Sequence, residues 1–335
     1  MHYFLLDVYR YFAALIVSVS HFIYNYNKSL HFEFTSILGV ELFFILSGFV
    51  LAPQLLKLQD NVSKNLRVFL LRRWIRTVPP YLVALFFAAF LFGFGDYINL
   101  FRFLTYTQNL LSDSPSLNFY SVAWSLSVEE WFYIILPLLI LISSYLKDKI
   151  IKLDVLTICL IIIIALNIFR FFYNSESIDW GEDIRRSVIL RIDSICFGVV
   201  AFILKEKISK IFLLIIFIFC FILLFFYLID PSMLLNYKLS QNFFLPICAV
   251  CFSSLIILFT FKDTNSLKIK KISSLGANLS YSMYLFHIFF IPITINLFNN
   301  IIFALIAYLL LLKLFCFFFF ISFEKPLLKS RPRYE

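Results

Sequence analysis

Charge is scarce in this chain. Only 15% of its 335 residues are Asp, Glu, Lys or Arg, against roughly a quarter in a soluble globular domain. An ordinary water-soluble fold is excluded, because too few ionic groups remain to cover its surface. The chain also lacks an internal repeat and a low-complexity linker, so we expect one domain over residues 1–335. No basic segment precedes the N-terminal apolar run, and we expect that run to continue as a span rather than act as a cleaved signal. No set of His, Cys and carboxylate residues has metal-ligand spacing, so no metal is expected. The C-x-x-C at Cys248 and Cys251 has no second pair. All six cysteines (Cys159, Cys196, Cys220, Cys248, Cys251 and Cys316) lie within apolar stretches and read as small packing residues.

What the chain has is apolar surface. It is 62% hydrophobic and 20% aromatic. A membrane span needs about 20 mostly apolar residues. Ten such runs are present, at roughly 4–24, 36–56, 79–95, 131–146, 153–173, 187–204, 211–229, 243–261, 280–298 and 301–323. The expected fold is all-α, a polytopic membrane helix bundle of about ten transmembrane helices. The third and fourth runs are short for a crossing, which suggests tilted or partly re-entrant segments.

The net charge of +9 does not point to nucleic acid, because the basic residues alternate loop by loop. Lys57, Lys64 and Arg67 lie in one loop, then Lys147, Lys149 and Lys152, then Lys205, Lys207 and Lys210, then Lys262, Lys268, Lys270 and Lys271. The tail adds Lys325, Lys329, Arg331 and Arg333. The intervening loops hold few cations and carry Asp96, Glu176, Asp179, Glu182 and Asp183. By the positive-inside rule the basic side is cytoplasmic, and with it both termini.

Ionisable groups inside spans are expensive, so each is a functional candidate. In the first span Arg10 and His21 are eleven residues apart. Eleven steps of about 100° come within about 20° of three full turns, so the two share a helix face with a rise of about 16 Å. Asp7 lies one turn before Arg10 and is placed to hold it. The alternative is that Arg10 snorkels to lipid phosphates and His21 makes a single interhelical hydrogen bond. The second span holds Glu41 without an adjacent partner, and Ser47 beside Gly48, where small residues also suit close helix approach. Arg72, Arg73 and Arg76 precede Pro79 and Pro80. Arg72 and Arg76 share a face at i, i+4. Their planar forks suit phosphate oxygens, as well as ordinary interfacial anchoring. In the sixth run Arg191 and Asp193 read as a pair with each other or with a neighbouring helix, or as catalytic groups. The ninth places Tyr281, Tyr284 and His287 at successive i, i+3 steps, as a polar face or a cavity lining.

Taken together, Arg10-x10-His21, "GVELFFILSGF", "RRWIRTVPPY", "WSLSVEEWFYIILP", "RIDSICFG", "SYSMYLFH" and "FEKP" resemble the acyltransferase-3 family, in the family's order and from residue 7 to residue 326. The resemblance implies a multi-pass enzyme that acylates carbohydrate. The donor would be cytoplasmic acyl-CoA, most simply acetyl-CoA, used as a substrate and not as a tightly bound cofactor. The acceptor would be a surface polysaccharide, a lipopolysaccharide or a lipid-linked sugar. Membrane lipids would be the other partners, and nucleic acid would not be one. The location implied is a cell membrane, the inner membrane if the source is bacterial. The chain ends about a dozen residues after its last span, so it resembles members without a fused esterase-like domain.

Residue by residue, the resemblance implies that His21 is catalytic with Arg10 in its motif, and that Arg73 and Arg76, with Arg72 adjacent, meet the donor. It also implies a site role for Glu129 or Glu130 in the motif that contains Trp124, Ser125 and Tyr133. His21 would act as a base or as an acyl carrier. Glu129 is the favoured site carboxylate, at the outer entrance of the fourth span, with one glutamate orienting the imidazole and the other binding the acceptor. Ser47, Arg10 and a backbone N–H are candidates for stabilising the oxyanion. A transporter of lipid-linked sugar would use the same buried charges. Internal symmetry marks many transporters, and none is visible here.

Overall fold

The structure is a computed structural model and describes residues 4–110, 119–146, 153–260 and 266–334. Lys147, Lys149, Lys152 and Lys262 lie outside the described residues. The described elements are helical: α1 (Phe4–Asn27), α2 (Leu30–Asp60), α3 (Val62–Phe92), α4 (Tyr97–Leu104), α5 (Ala123–Leu146), α6 (Val155–Tyr173), α7 (Ile192–Leu204), α8 (Lys210–Ile229), α9 (Met233–Asn236), α10 (Lys238–Thr260), α11 (Leu267–Leu297), α12 (Ile301–Phe319) and α13 (Lys325–Lys329). Single π-helical turns occupy Trp180–Arg185 and Phe320–Glu324. Among the described residues nine helices are long and apolar enough to cross a membrane. The tenth expected run is the 13-residue α7, only about 20 Å long.

Two expected boundaries move. α3 runs unbroken for 31 residues through Pro79 and Pro80, so the arginines and the third span belong to one helix. α5 begins at Ala123, so the glutamates lie inside the fourth span and not at its entrance. Both segments looked short because a hydropathy window stops at charge, whereas a helix does not. Both helices are long and apolar enough to cross a membrane.

Caps fix several helix starts. Side-chain Oδ1 of Asn61 accepts from the Lys64 N–H, that of Asp96 from the Asn99 N–H, and that of Asp154 from the Thr157 N–H. Each satisfies a donor the first turn would leave orphaned. Short connections reverse the chain between successive long helices. One end of the bundle therefore collects the described basic loops, and the opposite end collects the C-terminus of α1, the N-terminus of α5 and the turn at Trp180–Arg185.

α7 is held in the interior by close packing and by charge. A Cβ on Gly48 of α2 would stand 1.9 Å from the Ile195 carbonyl oxygen, and one on Gly198 of α7 would stand 2.1 Å from the Ile45 oxygen. The two backbones meet at reciprocal glycines, the small-residue contact expected at Ser47-Gly48. Two ion pairs flank that seam. The Arg191 guanidinium donates to the Glu41 carboxylate, and both side chains are 0% exposed. Asp193 accepts from Arg170 of α6 at 2.6 and 2.8 Å. Arg191 and Asp193 therefore pair with neighbouring helices and not with each other. Glu41 has a partner after all, 150 residues along the chain. The six cysteines are buried and unbridged.

Candidate functional site

Two cavities lie back to back inside the bundle. The inner one, about 70 Å³, opens among Arg10, Arg73, Arg76, Ser47, Glu129, Tyr133 and Tyr281. The wider one, about 610 Å³, lies toward the opposite end among His21, Tyr24, Asn25, Glu33, Trp124, Arg185 and Arg186. Val40 and Tyr284 line both and form the partition between them. The shared face of Arg10 and His21 is thus realised: one helix face carries the arginine into the inner cavity and the histidine into the wider one.

A chain of hydrogen bonds sets the state of His21. The Tyr284 carbonyl lies 2.7 Å from His287 Nδ1. A carbonyl only accepts, so His287 Nδ1 carries a proton. With both rings neutral, His287 Nε2 must then accept. It faces His21 Nδ1 at 2.7 Å, so His21 Nδ1 donates. That leaves Nε2 of His21 as the lone-pair nitrogen, the form able to take a proton from a hydroxyl. The rings are stacked, with centroids 5.0 Å apart. His21 is therefore oriented by His287 from α11, and not by a glutamate of α5.

Glu129 has a different place. Its Oε1 accepts from Ser47 at 2.7 Å and its Oε2 from Tyr133 at 3.0 Å, on the inner side of the partition. Glu130 projects elsewhere and lines a separate pocket with Trp74, Tyr106 and Trp131, as the 100° step between neighbours requires. The expectation that one glutamate serves the imidazole and the other the acceptor is not met by this geometry. Ser125 bonds the Tyr284 hydroxyl at 2.6 Å and steadies the partition. Tyr281 donates to the Thr77 carbonyl at 2.8 Å, tying α11 to α3.

A family model described as an acyltransferase domain, acyltransferase-3, matches residues 4–323. The chain belongs to the acyltransferase-3 family. It is similar to the "Putative peptidoglycan O-acetyltransferase YrhL" of Bacillus subtilis (strain 168), with 28% identity over 165 residues, 43% of this chain and 24% of that protein. It is also similar to the "Putative acetyltransferase ORF330" of Acidianus two-tailed virus, with 30% identity over 112 residues, 33% of this chain and 32% of that protein. The matches thus span about a quarter and a third of those relatives. No solved structure matches the chain.

In this member of the acyltransferase-3 family the three arginines separate. Arg73 and Arg76, at i, i+3, line the inner cavity. Arg73 is buried and donates to Gln54 at 2.9 Å. Arg72 instead donates to the Pro332 carbonyl at 2.6 Å and lies over the Tyr334 ring, so the expected Arg72–Arg76 face is not the one that meets the cavity. Asp7, in the first turn of α1, lines neither cavity. Arg191, Asp193 and Glu41 belong to the α7 anchor. Among the described residues no three His, Cys, Asp or Glu side chains converge as metal ligands do.

Two features escaped sequence reasoning. The direct His21–His287 contact joins residues 266 positions apart, although the Tyr284–His287 spacing had marked that face as polar. Arg185 and Arg186 sit in the wall of the wider cavity. Their signal was present in the sequence as an adjacent basic pair on the side whose loops hold few cations.

Proposed function

We propose that the protein is a membrane acyltransferase that moves an acyl group, most simply acetyl, from cytoplasmic acyl-CoA to a carbohydrate hydroxyl on the opposite side of a cell membrane. The observation that carries this reading is the position of His21, in the wall of the wide cavity one partition away from an arginine-lined slot. Family membership supports acyl transfer. The name of the Bacillus subtilis relative, a peptidoglycan O-acetyltransferase, supports a glycan acceptor.

In this mechanism Arg73 and Arg76 bind the donor phosphates, and the acyl arm passes through the inner cavity and between Val40 and Tyr284 to bring the thioester to His21. The acceptor hydroxyl occupies the wide cavity and gives its proton to His21 Nε2. The alkoxide attacks the thioester carbonyl and the C–S bond breaks. The thiolate leaving group takes the proton back from the imidazolium, so an ester and free CoA result. His287 accepts the hydrogen bond from His21 Nδ1 throughout, which stabilises the imidazolium as it forms. Glu129, held by Ser47 and Tyr133, keeps the inner slot polar opposite Arg10 and Arg73.

Labelled acetyl-CoA with purified protein tests the reading. Transfer to sugar, or slow hydrolysis that depends on His21, supports it; sugar uptake without acyl chemistry supports a transporter. Arg73→Ala and Arg76→Ala should each raise KM for acetyl-CoA about tenfold or more, since a hydrogen bond to a charged group contributes about 1.5–3 kcal/mol. KM for the acceptor should change little. Unchanged donor KM in both variants would remove the phosphate role.

A further inference from the structure

The wall of the wide cavity contains a guanidinium with no counter-charge in contact. Arg185 is only 6% exposed, and its Nε has no hydrogen-bond partner. None of the ion pairs among the described residues includes it. Its guanidinium carbon lies 5.5 Å from the centre of the Trp124 ring, which shields one face and leaves the edge for a ligand. Burial and the neighbouring Arg186 charge push the Arg185 pKa down to about 9, only partly offset by Glu33 and Glu182. An anion in the cavity would relieve that cost.

This placement is built, not incidental. Asn109, fully buried, donates through one amide nitrogen to the Trp124 carbonyl at 2.9 Å and to the Arg186 carbonyl at 2.6 Å. Its backbone carbonyl accepts from the Val188 N–H at 2.9 Å. One side chain therefore clamps the arginine turn against the start of α5, beside His21. Arg186 extends the basic patch and is held by Glu182. Membrane anchoring does not explain the pair, because these arginines face inward at the end whose loops carry Asp179, Glu182 and Asp183. A further cavity of about 370 Å³ shares Glu33, Ile37, Arg185 and Arg186 with the wide one, so the arginines stand midway along a groove longer than one sugar binding position.

We propose that the acceptor is an anionic sugar, carrying a carboxylate or phosphate group that Arg185 binds while a neighbouring hydroxyl faces His21 Nε2. Arg186 makes the second contact, and Trp124 holds the Arg185 plane in register. Oxyanions suit such a fork because it can make two parallel N–H···O bonds. The inference rests on the wide cavity being the acceptor side, as assigned above.

The test is equilibrium titration of the purified full chain with glucuronate, glucose 1-phosphate and glucose, run beside acetyl transfer to the same three sugars. At least one anionic sugar should bind about tenfold or more tightly than glucose, with the carboxylate and phosphate arms separating the two chemistries. Arg185→Gln should abolish the preference, and Arg185→Lys should keep part of it. If Arg185→Gln fails to fold, Arg186→Gln should still reduce the preference. Equal binding of glucose and both anions, or a preference that survives in Arg185→Gln, overturns the inference. Selective anion binding without any acyl transfer supports the site and counts against the acyltransferase reading. Transfer without anion preference does the reverse.

Discussion

His21→Ala is expected to remove acyl transfer while leaving the protein folded and inserted. General-base catalysis by a positioned group contributes about 10²–10⁴-fold, so activity should fall by at least that range. The fold should survive, because His21 is only partly buried and its side chain enters a cavity, not a packed seam. The chief structural loss is the 2.7 Å contact to His287. Initial rates with labelled acetyl-CoA, measured beside a thermal melt, separate the two quantities. Full activity in a folded His21→Ala protein would end the role assigned to the imidazole.

Glu41→Ala is expected to cost the protein its fold. The carboxylate and the Arg191 guanidinium are both fully buried, and Arg191 already leaves Nε and one terminal nitrogen without partners. Removing Glu41 strands a charge inside the bundle. Breaking a buried pair in this way costs about 3–5 kcal/mol, a large part of the ~5–15 kcal/mol that holds a typical domain. α7 depends on this anchor more than a longer helix would, since its 13 residues offer little apolar length. Replacing both partners together, Glu41→Leu with Arg191→Met, should cost far less because no charge is left behind. Detergent-solubilised yield and melting temperature report the difference. A Glu41→Ala protein that melts with the parent would show that the pair does not anchor α7.

The pattern of residues disclosed the helices better than their ends. Apolar runs of span length marked an all-α membrane bundle, and eleven residues between Arg10 and His21 put both on one face, as the paired cavities show. Periodicity within a helix does not say which other helix it meets. Glu41 and Arg191, or His21 and His287, come together only through tertiary packing across 150 and 266 residues. The single-residue step also decided more than composition could. Glu129 and Glu130 are neighbours in the chain, yet one enters the inner cavity and the other a separate pocket. Arg72 and Arg73 divide in the same way, one toward the C-terminal tail and one toward the cavity. Arg185 and Arg186 were visible only as an exception to the charge alternation, with no span periodicity to give them a direction.

The claim on which the rest depends is that two reactants reach one partition from opposite ends of the bundle. Proteoliposomes with the protein in one orientation test it directly. Labelled acetyl-CoA is supplied only on the side of the basic loops, and the sugar only on the other. The account predicts labelled acyl-sugar on the sugar side, with CoA released on the donor side and no acetyl-CoA crossing. Transfer that occurs only when both reactants share one side would contradict it.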